Sequence, residues 1–333
     1  MTQLMRPRNA DAAQKSNANH SPRAAVSVDE LKRGWAAVQA GQFRRSGTHT
    51  PTPSAGPAAP RVTTRQEPNQ PQRAWVQAPT EHVVTVLGCA GSVGASTIAL
   101  AIATAGVDAL ATPSIRPRSR VIECASVTAS GLAGVSTAEL GAGPESGWVH
   151  GTRDEVLIER VADILAGVEE VPVPSDLDDS TARPVGLTVL DVAWEFGQIL
   201  AGNSWLRDHV VAAESLVLVT TATVPGLRRL EGVLDLLNDV QATHTHGPVP
   251  VAVVGPRRRR WVKGLQRSAD PRTRALLRSE QVIEVPNDTG LAAWGLGSAP
   301  LPAALLNAAA DLLRHLPAGN THQKHTDTEG SSS

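Results

Sequence analysis

The sequence has no tyrosine, and only two phenylalanines, two methionines and two cysteines in 333 residues. Two cysteines, Cys89 and Cys124, cannot build a disulfide framework, so the fold must rest on an apolar core. No apolar run approaches the roughly 20 residues that a bilayer-spanning helix needs. The opening stretch, MTQLMRPRNADAAQK, has no apolar segment of the kind a secretory signal carries, and a cytoplasmic location is the expectation. Lysine and aromatics are scarce beside Ala, Val and Arg, a compositional bias that carries no information about fold.

The chain divides by composition. Residues 1–80 are rich in Pro, Gln, Asn, Ser, Thr and Ala, and hold eleven Lys/Arg against four acids. That leaves the segment at +7 and the other 253 residues at −8. A chain of this kind buries too little apolar surface to offset its ordering entropy, which predicts a disordered basic tail. One island stands out. Ser27 and Glu30 form a capping box, Val26 and Leu31 a hydrophobic staple, and Gly41 is placed to end a helix over residues 28–40. Its one-sided apolar face, with Val28, Leu31, Trp35 and Val38, suggests a segment that docks on a partner protein through Leu31, Trp35 and Val38. The alternative is a nascent helix without consequence. Residues 318–333 read as a second disordered tail, whose His322 and His325 are read as solvated rather than metal-binding.

Residues 81–317 change character to strands alternating with helices. Candidate strands are 82–88, 119–124, 186–191, 215–221, 249–254 and 281–285, and helical patterns occupy 95–105, 154–166, 225–239, 271–279 and 301–316. Near-continuous Val/Ile/Leu strands spaced by helices predict an α/β, doubly wound, mostly parallel sheet covered on both faces. Residues 171–183 read as a polar surface loop.

The central stretch is residues 83–106, VVTVLGCAGSVGASTIALAIATAG. A buried strand runs into a glycine-bearing turn and then an Ala-rich helix, which is how a phosphate-binding loop is laid out. Glycines let backbone N–H groups turn toward an anion, and the helix N-terminus adds partial positive charge. Gly91, Ser92, Val93, Gly94, Ala95, Ser96 and Thr97 are the candidate nucleotide contacts, and Ser96 offers a hydroxyl to Mg²⁺. A tight turn without a ligand is the bland alternative. The G-x-x-x-x-G-K-[ST] pattern places lysine where this chain has Ala95, and its first glycine where this chain has Cys89.

The order of these pieces resembles the ParA/MinD branch of the P-loop NTPases, including atypical members of the pilus-assembly and septum-site type. Ala90-Gly-Ser-Val-Gly-Ala-Ser-Thr97 stands where that family has its lysine-glycine-glycine-x-glycine-lysine-threonine loop. Leu187-Thr-Val-Leu190, closing in Asp191, is similar to the family's second acidic strand, and residues 213–221 to the strand after it. Ile283-Glu-Val-Pro-Asn-Asp288 resembles the loop that contacts adenine, which adds Pro286 and Asn287 to the candidate contacts. The resemblance implies a P-loop fold, ATP with Mg²⁺ as cofactor, Ser96 and Asp191 as metal-side groups, and a nucleotide-dependent homodimer.

The departures fall on the chemistry. Both lysines of the family loop are replaced, by Ala90 and Ala95. The strand at 119–124 keeps one acid, Glu123, but has Ala125 where the family has a second. Asp191 and Glu123 are therefore the only candidates for catalytic acids. The alternative for Asp191 is a structural role, capping the segment after its strand. Trp194, Phe196, Cys89 and Cys124 are read as packing residues. A fixed cation about 4 Å from a phosphate is worth roughly 4 kcal/mol at an effective dielectric near 20, or several hundredfold in affinity. Weak nucleotide binding with little hydrolysis is the expectation, and a scaffold that binds no nucleotide is the rival.

The other charged feature is Arg257, Arg258, Arg259 and Arg260, in a window (residues 256–278) with nine Lys/Arg and a single acid, Asp270. Nonspecific DNA binding through phosphate contacts is one reading and a solvated face the other. The last helix reads as core, and no free membrane-binding helix comes after it.

Overall fold

The computed structural model describes residues 74–78, 81–111, 117–142, 147–174, 184–241 and 249–317. The chain divides into two units, Met1–Ala58 and Ala59–Ser333, and every described residue belongs to the second. The helix expected at 28–40 and the tail at 318–333 lie outside the described residues.

Among the described residues, nine strands form one sheet: β1 (His82–Gly88), β2 (Arg118–Glu123), β3 (Ala138–Ala142), β4 (Trp148–Arg153), β5 (Val156–Val161), β6 (Val185–Val192), β7 (Leu216–Thr221), β8 (Val251–Gly255) and β9 (Val282–Pro286). Their order across the sheet is β3-β4-β5-β2-β6-β1-β7-β8-β9. Every pairing from β5 to β9 is parallel; β4 alone runs against its neighbours β3 and β5.

The strands alternate their side chains between two apolar layers, as a sheet covered on both faces requires. Val84 and Val86 of β1 face α1 (Ala95–Ala109) and, with it, the C-terminal helix. Val83 and Leu87 face the opposite layer, which contains α2 (Phe196–Ala201), α3 (Trp205–Ala212) and α4 (Val224–Gln241). α1 is buried almost all round, from Ile98 through Ala103 and again at Val107. Small Ala side chains let it sit close over the sheet. α4 buries Leu227, Leu230 and Leu237, with Leu234 half-buried beside them, the face the sequence spacing predicts. Its start is fixed by Thr223, whose hydroxyl accepts the Gly226 N–H at 3.1 Å. After β8 come α5 (Leu265–Ser268) and α6 (Pro271–Leu276), capped by Asp270, which accepts from Arg272 and Thr273. After β9 come α7 (Thr289–Trp294) and α8 (Ala303–His315). α8 packs Leu305, Ala308, Ala309 and Leu312 into the α1 layer.

Six strands and four of the five helical segments fall where the sequence predicts them. The helix expected at 154–166 does not form. Residues 148–161 are a hairpin, β4 and β5 joined through Asp154 and Glu155, with Asp154 in the left-handed region at φ 51°. Val156 and Ile158 are buried in one apolar layer and Val161 in the other, as in a strand covered on both faces, and β-branched residues favour the strand. The front of the expected surface loop at 171–183 is also core. Val171 is buried, its carbonyl accepts the Trp205 indole N–H at 2.9 Å, and the Val173 carbonyl accepts that of Trp148 at 3.0 Å. Residues 175–183 of that loop lie outside the described residues. Among the described residues no helix is long and apolar enough to cross a membrane.

Ahead of the sheet, Trp75 lies edge-on against Trp205 of α3, with ring centroids 5.8 Å apart, and 5.0 Å from the ring of His209. Glu81 then fixes the approach to β1 by accepting the Ala78 N–H at 3.0 Å and the Thr188 hydroxyl.

Candidate functional site

In an open parallel sheet, ligands bind at the carboxyl ends of the strands. A cleft of about 1050 Å³ lies there, walled by residues 90–98 after β1, 191–195 after β6, 221–223 after β7, 254–256 at β8 and 285–288 at β9. All seven loop residues expected to contact nucleotide line it, as do Pro286, Asn287 and Asp191.

The loop between β1 and α1 is held open by its backbone. Gly94 has φ 94° and Ser92 has φ 59°, so two residues adopt the left-handed conformation. Gly94 can do so freely; Ser92 does so at a steric cost. Gly91, which the sequence marked as a loop glycine, has ordinary φ and open space around it. The Cys89 N–H donates to Val219 at 2.8 Å and the Ile98 N–H to Gly94 at 3.0 Å. Between them, no backbone N–H of residues 90–97 donates to an acceptor among the described residues. α1 begins at this point with no side-chain cap and no acid in its first turn. Unpaired amides around a left-handed turn at an uncapped helix start make an anion-binding concavity.

Facing this loop is an acid without a partner. Asp191 is fully buried near the end of β6, in register with Val86 of β1 and Glu123 of β2, and neither of its carboxylate oxygens has a hydrogen-bond partner. Burial first and the neighbouring Glu123 second push its pKa up to about 7, against the opposing pull of the nearby Ser96 hydroxyl, a potential hydrogen-bond donor to it. A buried, orphaned carboxylate beside a hydroxyl at the foot of an amide nest suits a divalent cation. Mg²⁺ takes one or two protein oxygens and completes its shell with phosphate and water. No group of three or more His, Cys, Asp or Glu able to hold a metal exists among the described residues.

Glu123 is placed differently. Its carboxylate accepts the Ser130 hydroxyl at 2.6 Å, the Gly131 N–H at 2.5 Å and the Leu132 N–H at 3.0 Å, and burial raises its pKa. It anchors the loop at 130–132 against the cleft. Ala125 is buried and offers no acid in its place. Trp194 lines the cleft with its indole N–H donated to the Cys124 carbonyl at 2.7 Å, and Phe196 is core. Cys89 and Cys124 are buried thiols whose pKa burial raises, to about 12 for Cys89 and well above the ordinary thiol value for Cys124, which makes them inert packing groups.

Sequence reasoning missed two residues. Gly131 packs against Ser96, and Arg153 crosses from the β4 end to the far wall. Arg153 is buried, and it donates to the carbonyls of Gly297 at 2.5 Å, Val135 at 3.4 Å and Ala299. It thereby ties the 131–135 loop to the segment before α8, whose Leu296 and Pro302 line the cleft together with Leu305 of α8. An alternating pattern around Arg153 could have signalled a strand; nothing local signals its distant acceptors.

The arginines lie at the β8–β9 side. Arg258 is ion-paired with Glu284 at 3.4 Å, gives its backbone N–H to the same carboxylate at 3.0 Å, and stacks 5.6 Å over the Trp261 ring. Arg257, Arg259 and Arg260 are exposed. No Lys, Arg or His lines the main cleft among the described residues.

No family model matches the chain, and no curated protein does. Solved structures do. A Borrelia burgdorferi protein assigned to plasmid partition, bound to AMPPNP, is 12% identical at a TM-score of 0.44 and covers 70% of this chain and 96% of its own. A ParA family ATPase from Chlorobium tepidum TLS is 14% identical at a TM-score of 0.42, covering 70% and 99%. The MinC:MinD cell division complex of Aquifex aeolicus is 16% identical at a TM-score of 0.43, covering 71% and 97%. Likeness of this degree concerns the layout of sheet and helices and does not extend to the side chains of the cleft. Solved structures of ParA- and MinD-type ATPases are thus among those to which this chain is similar.

Proposed function

We propose that the cleft binds a nucleoside triphosphate with Mg²⁺, turns it over slowly or not at all, and uses its occupancy to change protein partners. The observation that carries this is the run of unpaired amides at residues 90–97 opposite the orphaned Asp191 carboxylate. In that arrangement the loop amides and the start of α1 hold phosphate oxygens, Ser96 and Asp191 hold Mg²⁺, and Pro286 and Asn287 border the base. Mg²⁺, when bound, neutralises charge on the phosphates. Ala90 and Ala95 cannot add the fixed cations that phosphoryl transfer uses, and Glu123, engaged by the 130–132 loop, is not free to orient a water. Binding survives such losses better than catalysis does, because backbone donors remain. The sequence resemblance supports a partition, positioning or DNA-transfer role with a homodimer, and the capping box and one-sided apolar face of residues 28–40 support a protein partner docking there.

A calorimetric titration with ATP, with and without Mg²⁺, tests this. Binding that requires Mg²⁺ and disappears in Asp191→Ala, with negligible phosphate release, is the expected result. No heat and no thermal stabilisation at millimolar Mg-ATP would leave a scaffold that works through protein contacts alone.

A further inference from the structure

The main cleft has an anion-binding loop without a cation, while the cations of this region stand next door. Arg257, Arg259 and Arg260 line a separate recess of about 420 Å³ that shares Gly255, Pro256, Pro286 and Asn287 with the cleft. No acid lines that recess. The three side chains have no ion pair or hydrogen bond to a described residue, whereas Arg258 between them is ion-paired with Glu284 and stacked over Trp261. Arg258 is what fixes the turn. Its backbone bond to Glu284 ties the Arg258–Arg260 segment to β9, the Trp261 indole donates to Pro256 at 2.8 Å, and Arg260 donates its N–H to Arg257 at 2.7 Å. The turn is thus braced on both sides, and it carries three unneutralised charges to one concavity.

The strand order gives the spacing. β8 is two strands and β9 three strands from β1, so the recess lies about 10–15 Å from the glycine loop across the strand ends. A ligand held at the loop by one phosphate therefore reaches the recess only with its other end. We infer that the arginine recess is a second phosphate subsite of the same cleft, and that the ligand class is a nucleotide with a further phosphate remote from its 5′-phosphate. The inference rests on the nucleotide reading of the cleft and names the ligand more closely. Guanidinium groups suit such a phosphate because they bind it with paired, charge-assisted donors.

The test compares AMP with adenosine 3′,5′-bisphosphate and the dinucleotide pApA, by calorimetry on the full chain and on an Arg257→Ala/Arg259→Ala/Arg260→Ala variant. These side chains are exposed, so the variant keeps the fold; an unchanged melting temperature verifies that. The expected result is that at least one two-phosphate ligand binds the unmodified chain about tenfold or more tighter than AMP. That advantage should vanish in the variant while AMP affinity stays the same. Equal affinity for all three ligands, or an advantage that persists in the variant, overturns the second subsite and leaves the cleft's nucleotide function intact. Arginine dependence seen only with a duplex oligonucleotide also overturns it, and makes the patch a DNA surface. If neither ATP nor any of the three ligands binds, the nucleotide reading falls together with the subsite.

Discussion

Gly131 stands so close to Ser96 that a β-carbon at position 131 would lie 2.5 Å from the Ser96 hydroxyl oxygen and 2.8 Å from its β-carbon. Ser96 has too short a side chain to swing clear, so the 130–132 loop would have to move. Gly131→Ala should cost about 1–3 kcal/mol of stability, the usual range for overpacking. It should also disturb the Ser96 hydroxyl and so lower the Mg²⁺-dependent part of nucleotide affinity. Urea unfolding measures the first and calorimetry the second; unchanged values for both would mean that the loop yields without effect.

Asp191 makes stability fall as pH rises. Its folded pKa of about 7 lies above the ordinary carboxylate value, so the native state retains a proton that the unfolded chain releases. The contribution is full below about pH 4 and is lost by the time pH passes 7, a difference on the order of a few kcal/mol. Asp191→Asn should flatten that decline, and saturating Mg²⁺ should reduce it in the unmodified chain. Melting temperatures of both proteins from pH 4.5 to 8, with and without Mg²⁺, decide the point. Parallel curves for the two proteins would show that Asp191 does not titrate there.

Ala95→Lys restores a cation at the first position of α1. Mg-ATP affinity should rise by a factor on the order of a hundred or more if the ammonium reaches the phosphates. Hydrolysis should stay low, because Ala90 and Ala125 are unchanged. An affinity equal to that of the unmodified protein would mean that phosphate does not sit at the loop.

Trp75 covers His209, whose pKa burial lowers to about 4. Above pH 6.5 this histidine is neutral whether the chain is folded or unfolded; below it, the unfolded chain takes up the proton first and stability falls until about pH 4. Trp75→Ala removes aromatic packing worth about 1–3 kcal/mol at neutral pH. It also lets His209 titrate nearer its ordinary value, so the acid-side loss should be shallower. Denaturant midpoints at pH 7.5 and pH 5 separate the two effects, and an equal drop for both proteins would deny the link between Trp75 and His209.

What the sequence disclosed here is what is local. The β1 strand, its loop and α1 are continuous in the chain, and hydrophobic spacing with Gly94 is enough to find them. Asp191 was legible because an acid closing a run of Val and Leu marks the end of a central strand. The β4–β5 hairpin was not, because Leu157, Ile158, Val161 and Ile164 fall at helical spacing, while a strand buried on both faces shows no clean alternation. The turn at Asp154, with positive φ, decided between them. Ser92 was legible as a loop residue but its left-handed conformation was not: composition points to glycine wherever φ is positive, yet here serine shares that task with Gly94. Gly131 and Arg153 act through contacts distant in sequence, which no window along the chain contains.

Arg153 reaches Gly297 across 144 positions of sequence. Closing so long a loop is entropically slow and must await the chain beyond it. The cleft's last wall also comes from Leu296, Pro302 and Leu305, close to the end of the described chain. A nascent chain on the ribosome can therefore form the glycine loop and α1 early, yet it has no complete pocket until α8 has emerged.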